Sequence, residues 1–259
     1  MDLYQMNVFL AFTYVYVFIL GMCMGSFFLV VGYRVPQKET IMGRSHCDAC
    51  KEELKWWHVI PLFSYSILKG KCYFCASKIG LKNPILEVFI GLLFMSSAYF
   101  LQLETEVLVS FTFICLLFTI SISDYLYQII PNKVLLPFFL IGMMERFFIP
   151  QSDYWWYPIA GVLAGFLPLF LVGMLNEKAI GGGDIKLFAV VGLFIGPIGA
   201  LISLFLSSVL AIIFYVITFI RTNEKQKFIP FGPAIAVSSY LIYQFTSGQI
   251  DTMLQLFSR

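Results

Sequence analysis

The sequence predicts an all-α polytopic membrane protein, a bundle of about eight transmembrane helices with a small zinc-stapled cytoplasmic insert. Three observations carry that prediction. The 259 residues are 59% hydrophobic and only 12% charged, against about 25% charged in soluble chains. Eight apolar runs approach the roughly 20 residues that a span requires. Nearly all the basic residues fall on one side of those runs, as the positive-inside rule demands of a correctly counted topology.

The first run, 8–31, follows a segment whose only charge is Asp2. A secretion signal would carry a basic n-region there, so the run reads as a retained span. Its basic flank begins at Arg34, which places the N-terminus outside and residues 34–84 in the cytoplasm. The later runs are 85–101, 105–123, 132–149, 154–176, 185–196, 198–220 and 229–246, the sixth being short enough that it is expected to tilt or sit behind its neighbours. Alternation puts fifteen of the seventeen basic residues in the cytoplasm and leaves Arg146 and Arg259 outside. The net charge of +2 then reflects orientation and anionic membrane lipid rather than nucleic-acid binding. The expected organisation is a first span over 1–33, a cytoplasmic four-cysteine insert over 34–84, a catalytic helical bundle over 85–246 and an extracytoplasmic tail over 247–259.

The insert holds four of the six cysteines. A polar segment of about fifty residues seldom builds an adequate core without a staple. Cys47, Cys50, Cys72 and Cys75 have the spacing C-x2-C-x21-C-x2-C, which matches a four-cysteine structural zinc site with no open position. Paired disulfides or redox thiols are the alternative, disfavoured in a reducing cytosol. His46 and His58, the two histidines of the chain, read as polar loop residues. Cys23 and Cys115 lie inside spans and read as small apolar fillers.

Two acids mark span boundaries. Asp124 ends the third run in "FTISISDYLYQIIPNKV", and Asp184 opens the sixth in "GGGDIKLF". Two runs separate them, so both return to the same membrane face. An aspartate at a helix start is by itself a common cap. Gly181, Gly182 and Gly183 add an approach without side-chain bulk, and Pro131 ends the segment after Asp124. Two facing carboxylates can share one proton, one serving as base toward water and the other polarising a carbonyl. Helix polarity suggests a division of labour: Asp184, at a helix N-terminus, as base, and Asp124, after a helix C-terminus, as the proton holder. Glu87, at the cytoplasmic start of the second span, could help orient substrate but is expected rather to face the headgroups, and Lys186 to serve orientation or to tune Asp184. A proton- or ion-coupled transporter would place its acids nearer the midplane at a repeat interface, and a thiol oxidoreductase would face the oxidising side.

"GGGDIK" resembles the G-x-G-D motif of intramembrane aspartyl proteases, with Gly181, Gly183 and Asp184 at the matching positions. "GSFFLVVGYRVP", "GRSHCDAC", "VIPLFSYSILKGKCYFCASKIG", "NPILE", "DYLYQIIPNKV" and "IPFGPAIA" fall in the order seen in bacterial prepilin peptidases, the type IV leader peptidases. The resemblance runs from Gly25 to Ala236. It implies a multi-pass protease of the bacterial cytoplasmic (inner) membrane, with both termini outside, that removes the basic leader of type IV prepilins or pseudopilins. It further implies Asp124 and Asp184 as catalytic residues, Gly181 and Gly183 as the active-site loop and the four cysteines as metal ligands. Many members also methylate the new N-terminus with S-adenosylmethionine. Leu29 stands where the family usually has asparagine, and His58 where an acidic residue is common; both departures bear on methyl transfer, not proteolysis.

Overall fold

A computed structural model describes residues 3–47, 49–176, 180–222 and 230–257 of the chain. Among them the regular structure is helical: α1 (Leu3–Arg34), α2 (Phe63–Ile67), α3 (Lys82–Phe100), α4 (Glu106–Tyr127), α5 (Asn132–Phe148), α6 (Tyr157–Leu175), α7 (Gly182–Thr222) and α8 (Gly232–Phe257). A single 3-10 turn, Trp56–Val59, precedes α2. Five of these helices are long and apolar enough to cross a membrane. The chain divides into two compact units, Met1–Tyr99 and Phe100–Arg259.

In the first unit α1 and α3 pack through glycine. A Cβ on Gly21 would lie 2.9 Å from the Gly91 backbone, and one on Gly25 would lie 3.1 Å from Ile90. Small residues allow such close approach where lipid supplies no hydrophobic drive between helices. α3 belongs to this unit, whereas the sequence grouped it with the catalytic bundle. The insert between α1 and α3 contains two knuckles of the same local design. Cys47 N–H donates to Glu52 O and Leu54 N–H to Ser45 O; the second knuckle repeats this with Cys72 to Ser77 and Ile79 to Gly70. Lys51 and Ala76, each directly after the second cysteine of its pair, both take positive φ. The two copies are offset by a constant 25 residues, so the offset of the cysteine pairs extends to the backbone around them.

The second unit is built around α4, the most buried of the long apolar helices. Phe113, Leu116 and Ile120 of α4 pack in a core with Leu187, Phe188 and Phe194 of α7 and Ile235 and Tyr243 of α8, all essentially without exposure. Many large apolar side chains elsewhere are exposed, Phe147, Trp155 and Leu175 among them. On a membrane protein these meet lipid, and the aromatic cluster at 147–156 suits the headgroup level.

α7 is a hairpin, not a rod. Its 41 residues would extend about 60 Å, twice the hydrocarbon thickness. Gly196 breaks it with φ 73° and ψ 177°, just before Pro197. Neighbouring contacts fix the direction of each arm. In the first arm Gly192 abuts Gly161 and Phe188 abuts Gly165 of α6, so the two helices run antiparallel in backbone contact. In the second arm a Cβ on Gly199 would meet Ile242, and Ser203 hydrogen-bonds with Ser238 and Ser239 of α8. That register makes the second arm antiparallel to α8. α8 itself starts beside Asp124 and reaches Glu106 at Tyr243, hence parallel to the first arm of α7, whose Phe194 stacks on Phe113. The chain therefore doubles back at Gly196. The predicted sixth and seventh runs, 185–196 and 198–220, are its two arms, and the short sixth run sits in the core behind its neighbours. Only glycine suits the break, since φ there is positive and a Cβ would lie 2.4 Å from the Tyr157 ring. At the far end of the sequence α8 continues to Phe257, past the predicted span end at 246.

Candidate active site and metal centre

One end of the second unit gathers four helix termini, the end of α4 and the starts of α5, α7 and α8. Asp124 lies in the last turn of α4 and is buried. Gln128, in the left-handed conformation, closes the helix by donating its N–H to Asp124 O. Residues 129–131 then cross to α5, with Ser123 Oγ donating to Ile129 O. Gly183 lies under this crossing: a Cβ there would be 2.9 Å from Ile130 Cβ. Asp184 follows in the first turn of α7. Gly181 lies so close that a Cβ would come 3.0 Å from Asp184 Oδ2. The two carboxyls come within electrostatic reach of each other. Gly182, by contrast, has open space around it, so the tight positions of the triplet are Gly181 and Gly183. Glu177, Lys178 and Ala179, just before this loop, lie outside the described residues, as do Lys225, Lys227 and Arg259.

No lysine or arginine pairs with either acid among the described residues. Lys186, two residues from Asp184, instead donates to Asn132 Oδ1 at 3.2 Å. The fourth terminus is that of α8: Gly232 N–H donates to Asp124 Oδ2 at 2.6 Å. Sequence reasoning missed this contact, and it removes the premise for the division of labour drawn from helix polarity. Asp124 was expected to meet only the negative end of its own helix. The positive start of α8 is also there, so the dipole argument does not separate the two acids.

In the first unit the four cysteine sulfurs lie within 4.8 Å of one another. Cys47 Sγ and Cys75 Sγ are 3.8 Å apart, matching the edge of roughly 3.8 Å in a tetrahedron with Zn–S bonds of about 2.3 Å. Backbone N–H groups of Cys50 and Ala49 hold the Cys47 thiol down to about 6, which favours a thiolate ligand. All six cysteines are free of disulfides. Cys115 is buried as expected of a filler, while Cys23 is exposed on α1.

The same unit contains a cavity of about 770 Å³, lined among others by Ser26, Leu29, Arg34, His58, Leu62 and Glu87. Glu87 is buried there and accepts from the Ser26 hydroxyl and the Leu62 N–H. That corrects the expectation that it faces headgroups, because α3 turns it inward against α1. His58 is likewise no surface loop residue. Its ring is buried against Trp57, Tyr73 and Phe74, its Nδ1 accepts from Lys55 N–H, and its Nε2 is buried without a hydrogen-bond partner. Burial, then the charge of Lys55, lower its basicity. The two departures noted in the sequence, Leu29 and His58, thus line one cavity.

Comparison with known proteins divides the chain at nearly the same place as the fold. Residues 19–101 match the Bacterial Peptidase A24 N-terminal domain, and residues 111–216 match the Type IV leader peptidase family. The chain is 33% identical to a Bacillus subtilis protein, covering 92% of this chain and 97% of the relative. It is 29% identical to a Pseudomonas putida protein, covering 86% and 87%, and 26% identical to one from Neisseria gonorrhoeae, covering 87% and 88%. All three are named prepilin leader peptidase/N-methyltransferase. No solved structure matches. The likeness extends along both units, and the chain belongs to the type IV leader peptidase family.

Proposed function

We propose that this chain is a membrane aspartic endopeptidase that removes the leader of type IV prepilins or pseudopilins, with Asp124 and Asp184 as its catalytic pair. The observation that carries the reading is that two carboxyls from different helices come within electrostatic reach of each other at one end of the bundle, with no cation paired to either among the described residues. A water between them loses a proton to one carboxylate as it attacks the scissile carbonyl, while the other carboxylic acid protonates the carbonyl oxygen. Collapse of the tetrahedral diol returns a proton to the leaving amine. Gly181 and Gly183 form the active-site loop, where the absence of side chains leaves room for substrate backbone.

The acids sit at the cytoplasmic boundary in this reading, with both chain termini outside. Lys133 and Lys186 open α5 and α7 at the dyad end. Arg146 at the opposite end is buried in an ion pair and so does not weigh against that orientation.

The cysteine geometry fits structural zinc held by Cys47, Cys50, Cys72 and Cys75, which would fold the insert and take no part in hydrolysis. The methyltransferase half of the relatives' name is assigned here to the cavity at Glu87 and His58. Its volume lies in the small-molecule range, and it offers a buried carboxylate acceptor and an unpartnered ring nitrogen. S-adenosylmethionine, when bound, would supply the methyl group. The transporter alternative has no support from the family assignment. Reconstitution with a prepilin, followed by mass spectrometry of the product's N-terminus, tests both activities: a shortened product establishes the peptidase, a further 14 Da the methylation. An intact prepilin would refute the reading.

A further inference from the structure

We propose that Gly232, at the start of α8, is a positioning residue of the active site whose backbone N–H sets the orientation of Asp124; this rests on the peptidase reading above. α8 lies beyond residues 111–216, which match the family. Its first turn is nevertheless built around one contact. Ile235 N–H returns to Phe231 O, so Phe231 caps the helix and Gly232 N–H is the first amide without a partner inside it. Pro233 contributes no N–H, so Gly232 and Ala234 carry the amides that the helix itself leaves open in this turn, and that of Gly232 meets Asp124 Oδ2 at 2.6 Å.

Glycine is required by space. A Cβ at 232 would stand 2.8 Å from Asp124 Cβ, 2.9 Å from Oδ2 and 3.1 Å from Cγ. Either the α8 tip or the Asp124 side chain would have to move. The amide occupies Oδ2 and thereby fixes the plane of the carboxyl, leaving Oδ1 for water and substrate. A buried carboxyl with one oxygen tied to rigid backbone samples few rotamers, and such preorganisation acts on the chemical step more than on binding. Asp184 is backed by its own helix start, so each acid of the pair is held at a helix N-terminus, one from its own helix and one from a helix distant in sequence.

The test uses the full chain in detergent with a prepilin substrate. Replacing residue 232 by glycolic acid, which turns its amide into an ester, deletes the donor with no added bulk. The expected result is a fall in kcat of roughly 10- to 100-fold, the range for losing one hydrogen bond to a charged group, with KM within about threefold; the melting temperature, which the same loss lowers, serves to show that the variant remains folded. Gly232→Ala should show the same split or a larger one. The infrared band assigned to the Asp124 carboxyl, by subtraction of Asp124→Asn, should move in the ester variant. An ester variant that cleaves with wild-type kcat, or in which that band does not move, overturns the role of Gly232. A wild-type chain that cleaves no prepilin overturns instead the peptidase reading.

Discussion

Helix α4 carries an acid near each end, and the two are treated in opposite ways. Glu106, in its first turn, pairs with Arg146 Nη1 at 2.9 Å and accepts from Tyr243 OH at 2.7 Å. Arg146 also donates to Phe194 O, just ahead of the Gly196 reversal. The cluster thus ties α4, α5, α8 and the reversal of α7 together. Asp124, at the other end of α4, receives one backbone amide and has a second acid within electrostatic reach. The neutralised acid serves structure. Glu145 lies within electrostatic reach of Glu106 as well, but Arg146 is there to balance them; the pair suited to move protons is the one with no cation paired to it among the described residues. Both acids of α4 were visible as boundary acids in the sequence, but only their partners distinguish them.

The largest expected effect breaks the dyad. Asp124→Asn and Asp184→Asn should each lower leader cleavage roughly a thousandfold or more while leaving the melting temperature and zinc content at wild-type values. Retention of near-normal turnover by either variant would remove that residue from the pair. Arg146→Met attacks the opposite end and should do the reverse. Leaving half-buried Glu106 without its cation should cost less than the roughly 3–5 kcal/mol of a fully buried pair, readable by thermal or denaturant unfolding in detergent, whereas cleavage per folded molecule persists. Adding Glu106→Gln should recover part of that loss, because the uncompensated charge goes with it.

The insert sharpens the contrast from outside the bundle. Cys47→Ser should release zinc and unfold the knuckles while lowering cleavage only indirectly, through substrate placement. Acid should mimic it. Protons compete with the metal for the four thiolates, so zinc measured on the protein should be retained at neutral pH and lost progressively as the pH falls. The smallest effect belongs to Tyr243→Phe. It removes the hydroxyl shared between Glu106 Oε1 and Glu106 O and should cost about 1 kcal/mol, with turnover unchanged; a large loss of turnover would show that the structural end reaches the chemistry.

Much of this molecule is legible in its sequence because the bilayer restricts the answers. Backbone groups in lipid must be satisfied within their own segment, so long apolar runs become helices. Their number and polarity place Asp124 and Asp184 on one face before any packing is known. The cysteine spacing likewise points to a metal centre, since two C-x2-C knuckles are local structures. The G-x-G-D loop is local too. What the sequence leaves open is which helix end meets which, because contacts such as Gly232 to Asp124, 108 residues apart, depend on lateral packing that periodicity does not encode. Glu87 shows the same limit: its position near a span start suggested the headgroups, and the rotation of α3 against α1 turned it inward. The reversal at Gly196 lay between two runs that the sequence separated, yet only the antiparallel registers with α6 and α8 establish that the chain doubles back. Local chemistry determined the candidate reactive groups, and tertiary packing decided their partners, because a carboxyl's behaviour is set by the charges and donors brought to it from distant parts of the chain.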